Sequence, residues 1–248
     1  MRCLTWRSRG TRQKRRAPQF YVRHHELPLD LWATRRESLL FLEEKHPSRL
    51  AVLNRAFDLM DQCVTAFEDF SRQSKYAEVC GLALLKLKHL AVGSYSLILD
   101  GLGQETGALM RPMIEYAELI TYFRMFPDTV ERAATNSLPK AGDRAKAIGG
   151  IYKSFRDHLN EHASHSSFSS YSLAHLREPK TAKFKKLQRM VPHVLETNVR
   201  DLVVQLMLFL REAGLALEPL KSPAFLEIAE GIDNLKFRML DVYELNDA

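Results

Sequence analysis

The chain has 248 residues, 46% of them apolar and 27% charged. That is enough apolar material for a buried core, and it excludes a wholly disordered or fibrous protein. Three cysteines, an odd number, argue against a disulfide scaffold and for a reducing compartment. The net charge of +6 originates in the first 25 residues, which hold eight bases, from Arg2 to Arg23, and no acid. The remainder carries 28 bases against 30 acids, so the basic character belongs to a tail and not to a domain surface.

Residues 1–26 read as a disordered basic tail, and residues 27–248 as a single helical bundle domain. The tail lacks the apolar run of a secretory signal. Its first 25 residues are acid-free like a transit peptide, but poor in serine and without an apolar face. Such a tail grips phosphates without sequence preference and releases them as salt rises.

A short helix is expected over about 30–46, ended by Pro47-Ser48, and a longer one over about 48–73. In the latter Leu50, Leu53, Phe57, Met60, Val64 and Phe67 recur every three or four residues, which puts them on one helix face. Gly101-Leu102-Gly103 separates a helix at about 77–100 from one at about 104–126, which stops at Pro127-Asp128. Gly142-Asp143 opens a helix over about 143–163 with the stripe Ile148, Tyr152, Phe155, Leu159 and His162. Six serines among residues 164–172 make a polar loop. A helix over 183–213 is expected to break or kink at Pro192. In the last helix Ser222 is expected as cap, with Pro223 in the first turn. No alternation long enough for a strand is convincing. The fold class is therefore all-α: an antiparallel bundle of about seven helices with short joints. The longest apolar run, Leu202–Leu210, spans nine residues and contains Gln205. It reads as a buried helix and not as a membrane span. A soluble cytoplasmic protein with no membrane partner is the expectation.

Gly101, Gly103 and Gly107 superficially match a dinucleotide loop, but no strand precedes them and the spacing is one residue too long. They read as a turn between helices. Arg111, Glu115, Glu118 and Tyr122 follow at spacings of four, three and four on one narrow face. Arg111 and Glu115 can pair directly. A thin solvated face is the simplest account; Pro112, one turn inside the helix, raises the alternative of a polar constellation lining a cleft or a dimer interface. Cys63 and Cys80 read as small core residues, and the serines lack the strand–turn–helix elbow of a nucleophile.

The densest polar chemistry runs from Arg156 to His165. His158, His162 and His165 stand at i, i+4 and i+7, so one helix face presents three imidazoles. One reading is a satisfied histidine at a helix end. A second is zinc, with Glu161 or Glu115 completing the shell. Diiron bundles use Glu-x-x-His pairs, and none of these three histidines has Glu three residues before it.

A third reading starts from Arg156-Asp157, four further residues, and His162. Here the chain resembles the HEPN superfamily of helical prokaryotic nucleases, and a neighbouring group of helical bundles linked with phage defence. The Arg111-Pro112-x-x-Glu115 helix and the His-Ser stretch 162–167 look like features of that second group. The resemblance covers roughly residues 50–212 in helix order. It implies a metal-independent endoribonuclease that needs no cofactor, in phage defence or a toxin system. In it His162 is the general acid or base, Arg156 stabilises transition-state charge and Asp157 orients one of them. Arg111, Glu115, His158 and His165 would be binding contacts to RNA. The resemblance also implies a homodimer, with a protein partner or antitoxin as a further candidate. Arg156 and His162 lie about 120° apart on an ideal helix, so both would have to converge on a groove beside a two-fold axis. Two other classes stay open: a non-catalytic helical interaction module whose bundle face or tail docks a partner, and a zinc-binding helical bundle.

Overall fold

Local sequence signals set most of the helix ends in the computed structural model, which describes residues 31–162, 176–178, 180–185 and 188–245. Among the described residues there are nine helices and no strand. They are α1 (Leu31–Lys45), α2 (Pro47–Ser71), α3 (Lys75–Leu99), α4 (Gly103–Met125), α5 (Glu131–Ala134), α6 (Ala141–Ala147), α7 (Lys153–His162), α8 (Pro192–Leu217) and α9 (Phe225–Val242). The expected all-α multi-helix bundle is the observed fold. The basic tail at 1–26 lies outside the described residues.

Pro47 opens α2 at its first turn, where the missing amide costs nothing. Ser74 caps α3: its side chain accepts from the Ala77 amide at 3.2 Å. At the other end of α3, Gly101 takes φ +76°. The Leu102 amide donates to Leu97 O at 2.9 Å and the Gly101 amide to Ile98 O at 3.1 Å. This pair of bonds is a Schellman closure, which a residue with a Cβ would strain. The three glycines are therefore not a phosphate cradle, and Gly101 makes the expected turn.

Helices α2, α3, α4 and α8 pack on one another. Helix α9 lies against α2 and α8, α1 lies mainly against α2 and α3, and α6 and α7 lie against α4. Their apolar stripes meet in one core that includes Leu53, Phe67, Leu84, Ile114, Phe123 and Phe209, each at most 1% exposed. Burial of each such side chain contributes about 1.5–3 kcal/mol. Helix α3 is long and apolar enough to cross a membrane by length and composition alone, with mean hydropathy 1.4. Its contacts with α1, α2, α4 and α8 account for that composition inside a bundle. Leu202–Leu210 falls within α8 and is mostly buried, as expected.

Three expected boundaries are corrected. The helix at 143–163 is two helices, α6 and α7. Gly149 at φ +79° and Gly150 at φ +66° stand between them, and two left-handed residues in a row cannot continue a right-handed helix. Pro192 neither breaks nor kinks a helix; it starts α8 at the first turn. The described residues from 183 to 191 are not helical, and Arg177 and Phe184 form an isolated antiparallel bridge there. The last helix begins at Phe225, after Pro223, and Ser222 accepts from the Ala224 amide at 3.3 Å just outside it.

Candidate functional site

The polar face of α4 is not a solvated stripe. Glu118 and Tyr122 are buried, while Arg111 and Glu115 are half-buried and pair at 3.3 Å. The reason is α7, which lies along α4 and sends Arg156 into this face. Arg156 Nη2 donates to Glu118 Oε2, and the two side chains are 12% and 1% exposed. Burial pulls the Arg156 pKa below the usual guanidinium value. Glu115 and Asp157 oppose that shift, and Arg111 adds to it. Among the described residues, Arg156 Nε and Glu118 Oε1 are buried without hydrogen-bond partners.

Asp157 is oriented differently. It is exposed and pairs with Lys153, one turn back on α7, at 3.2 Å. Of the residues singled out in the sequence, Arg111, Glu115 and Arg156 therefore gather around Glu118, and Asp157 does not join them through any described ion pair. His158 and His162 lie on α7, with side chains outside the described residues, and His165 lies outside them altogether. Among the described residues no three His, Cys, Asp or Glu side chains are grouped as a metal site. The chain does contain one Glu-x-x-His pair, Glu43 and His46. His46 pairs with Glu196 at 3.4 Å, and Glu196 is also held by Arg49 at 2.7 Å.

Beside this face, α4, α7 and α8 enclose a cleft of about 500 Å³. Its walls are largely apolar, with Met110 from α4, Phe155 and Leu159 from α7, and Val204 and Leu208 from α8. Gly103 and Gly107 belong to the α4 wall. A Cβ at Gly103 would stand 2.2 Å from Asn198 Nδ2, so glycine leaves room for the Asn198 amide in its present rotamer against α4.

Two buried polar side chains of α8 also line the cleft, Gln205 and Glu212, at 3% and 2% exposure. Thr121 Oγ1 donates to Glu212 at 2.9 Å, Arg124 Nη2 donates to it at 3.2 Å, and Arg211 stands 3.5 Å away. The Tyr152 hydroxyl, also in the cleft wall, is pushed well above the usual tyrosine value. Burial is the main cause and the Glu212 charge the second, partly offset by Arg211 and Arg124. Gln205 Nε2 donates to Met110 Sδ at 3.1 Å. Gln205 Oε1 has no partner among the described residues. A buried acceptor left unmade costs about 1–3 kcal/mol.

Gln205 and Glu212 are the site residues that the sequence reading passed over. Their signal was present: seven residues apart, they share one face of a helix that is otherwise apolar there. No protein-family model, characterised protein or solved structure matches the chain.

Proposed function

We propose that the chain is a non-catalytic helical binding module of the cytoplasm whose working site is the cleft between α4, α7 and α8. The observation that carries this reading is a 500 Å³ cleft with apolar walls and two buried polar side chains. That combination of size, apolar lining and a few placed polar groups suits a small organic ligand. The buried free thiols of Cys63 and Cys80 support a reducing compartment. The test is Nile red, a neutral dye whose emission rises in apolar surroundings. The folded wild type is expected to raise it. Leu208→Trp, which fills the mouth of the cleft, is expected to abolish the rise with helical content unchanged. A dye response identical in both proteins would overturn the reading.

A homodimeric endoribonuclease of the HEPN kind is the second reading. What supports it is the resemblance around Arg156 to His162, together with the position of α7, which carries His162 and also lines the cleft. The burial of Arg156 against Glu118 changes the role it would play there. In this arrangement Arg156 anchors the helix that bears the histidine and is not free to reach a scissile phosphate. Arg156 would then be a positioning residue.

A further inference from the structure

We propose that a basic hairpin between α7 and α8, at residues 176–185, binds a single strand of nucleic acid, with Phe184 stacking a base and the Arg and Lys side chains around it holding phosphates. This surface is separate from the cleft, because none of its residues lines that space.

Beyond the tail the chain is nearly neutral in sum, but its bases are unevenly spread. The described residues from 176 to 190 include five bases, Arg177, Lys180, Lys183, Lys185 and Arg189, against one acid, Glu178, and all six are exposed. Like charges gathered in so short a stretch repel one another and attract a polyanion. Glu178 accepts from Thr181 Oγ1 at 2.7 Å.

The bases have a defined frame. The Glu178 amide donates to Lys183 O at 2.9 Å, and the Lys185 amide donates to Leu176 O at 2.8 Å. These bonds flank the antiparallel bridge between Arg177 and Phe184. This is the narrow kind of antiparallel pair, whose two side chains share a face. Phe184 is 78% exposed, the most of any large apolar side chain described. A bare ring beside a guanidinium suits a nucleotide, which offers a base to stack and a phosphate to neutralise. Just beyond the hairpin, Thr34 Oγ1 of α1 donates to Gln188 O at 3.3 Å, which ties the segment to the bundle.

An anionic membrane is the competing partner, and it needs the apolar side chains together on one side. The other exposed apolar residue of the hairpin, Leu176, precedes Arg177 in an extended segment and so lies on the face opposite Phe184. A single ring among bases fits a base stack better than insertion.

The test uses the full chain with fluorescein-labelled oligouridylate and oligothymidylate of about 20 nucleotides, read by anisotropy over a range of NaCl. Phe184→Ala is expected to weaken binding about tenfold, whereas Phe184→Tyr, which keeps the ring, is expected to bind like the wild type. Arg177→Gln, Lys180→Gln and Lys183→Gln together are expected to weaken binding more than tenfold and to flatten the logarithmic salt slope by about two. The basic tail is the same in every variant, and the substituted positions lie outside the helices, so helical content is expected to stay unchanged. Either strand behaving in this way supports the proposal, and the tighter one names the sugar. No binding of either strand by the wild type would overturn it. Phe184→Ala binding as tightly as the wild type would remove the stacked base, and the triple variant doing so would assign the affinity to the tail; each overturns the proposal. Phosphatidylserine vesicles that lose binding with Phe184→Ala, while neither oligonucleotide does, would put a membrane in place of nucleic acid.

Discussion

Arg156 of α7 is bound to Glu118 of α4, 38 positions earlier in the chain. Their side chains are 12% and 1% exposed, so each offsets part of the other's penalty for leaving water. The pair fastens α7, and with it one wall of the cleft, to the bundle. Arg156→Met or Glu118→Met alone leaves an uncompensated buried charge, with an expected loss of about 3 kcal/mol. Replacing both by methionine is expected to recover most of that loss. Urea denaturation of the two single variants and the double variant gives the coupling. Losses that simply add would show that the two residues do not act as a pair.

The ribonuclease reading makes a separate prediction. With EDTA present, the wild type is expected to cleave mixed RNA, and His162→Ala is expected to lose cleavage while keeping its helical content. Arg156→Ala is the less informative variant, because loss of the Glu118 pair disturbs α7 whatever the chemistry. A wild type that is folded and cleaves none of several RNAs leaves the binding module as the reading.

Alkaline pH probes the core. Burial pushes the thiols of Cys63 and Cys80 from 9.0 up to about 12. A raised folded-state pKa contributes stability that is complete below the unfolded value, near pH 9. It is lost as pH rises toward 12, because only the unfolded thiols ionise in that window. Above pH 9 the expected slope is about 1.4 kcal/mol per pH unit for each thiol. Cys63→Ala with Cys80→Ala is expected to start less stable at pH 8, from the lost packing, and to show a shallower decline to pH 10.5. Chemical denaturation across that range measures both quantities. An unchanged slope would remove the thiols from the explanation.

Gly149 and Gly150 hold left-handed backbone between α6 and α7. A Cβ at Gly149 would meet nothing within 4 Å, so any penalty there is conformational and not steric. Gly149→Ala is expected to destabilise by about 1 kcal/mol. Thermal unfolding would show this as a small fall in Tm, whereas no change would mean that the joint readily adopts another conformation.

Much of the fold was legible because its signals are local. Pro47 and Gly101 act within a turn of themselves, so their effects can be read in sequence order, and Ser74, which the sequence reading did not single out, acts just as locally. Pro192 misled because a proline inside a helix and one at the first turn look alike until the preceding residues are known to be non-helical. The break at Gly149 and Gly150 was masked by apolar periodicity. Ile148 and Tyr152 on its two sides are both buried, so the stripe continues although the helix does not. The candidate site was harder to read, because its meaning lies in partners distant along the chain. Arg111, Glu115, Glu118 and Tyr122 share a helix face that any helical wheel shows. Only the arrival of Arg156 turns that face inward. Gln205 could be seen as a polar residue in an apolar run, but its unpaired oxygen is a property of the packed bundle.

The crossing of Gly103 and Asn198 bears on ancestry. A side chain at position 103 would push the Asn198 amide out of its present seat, so a change at one position bears on what suits the other. Any distant cousin that keeps this hollow should pair glycine at the start of the fourth helix with a residue no bulkier than asparagine at the position of Asn198. Where the glycine has been replaced, a smaller residue should stand opposite it. That two-position signature, joined to a glutamine seven residues beyond Asn198, gives a criterion for tracing descent where overall resemblance has worn away.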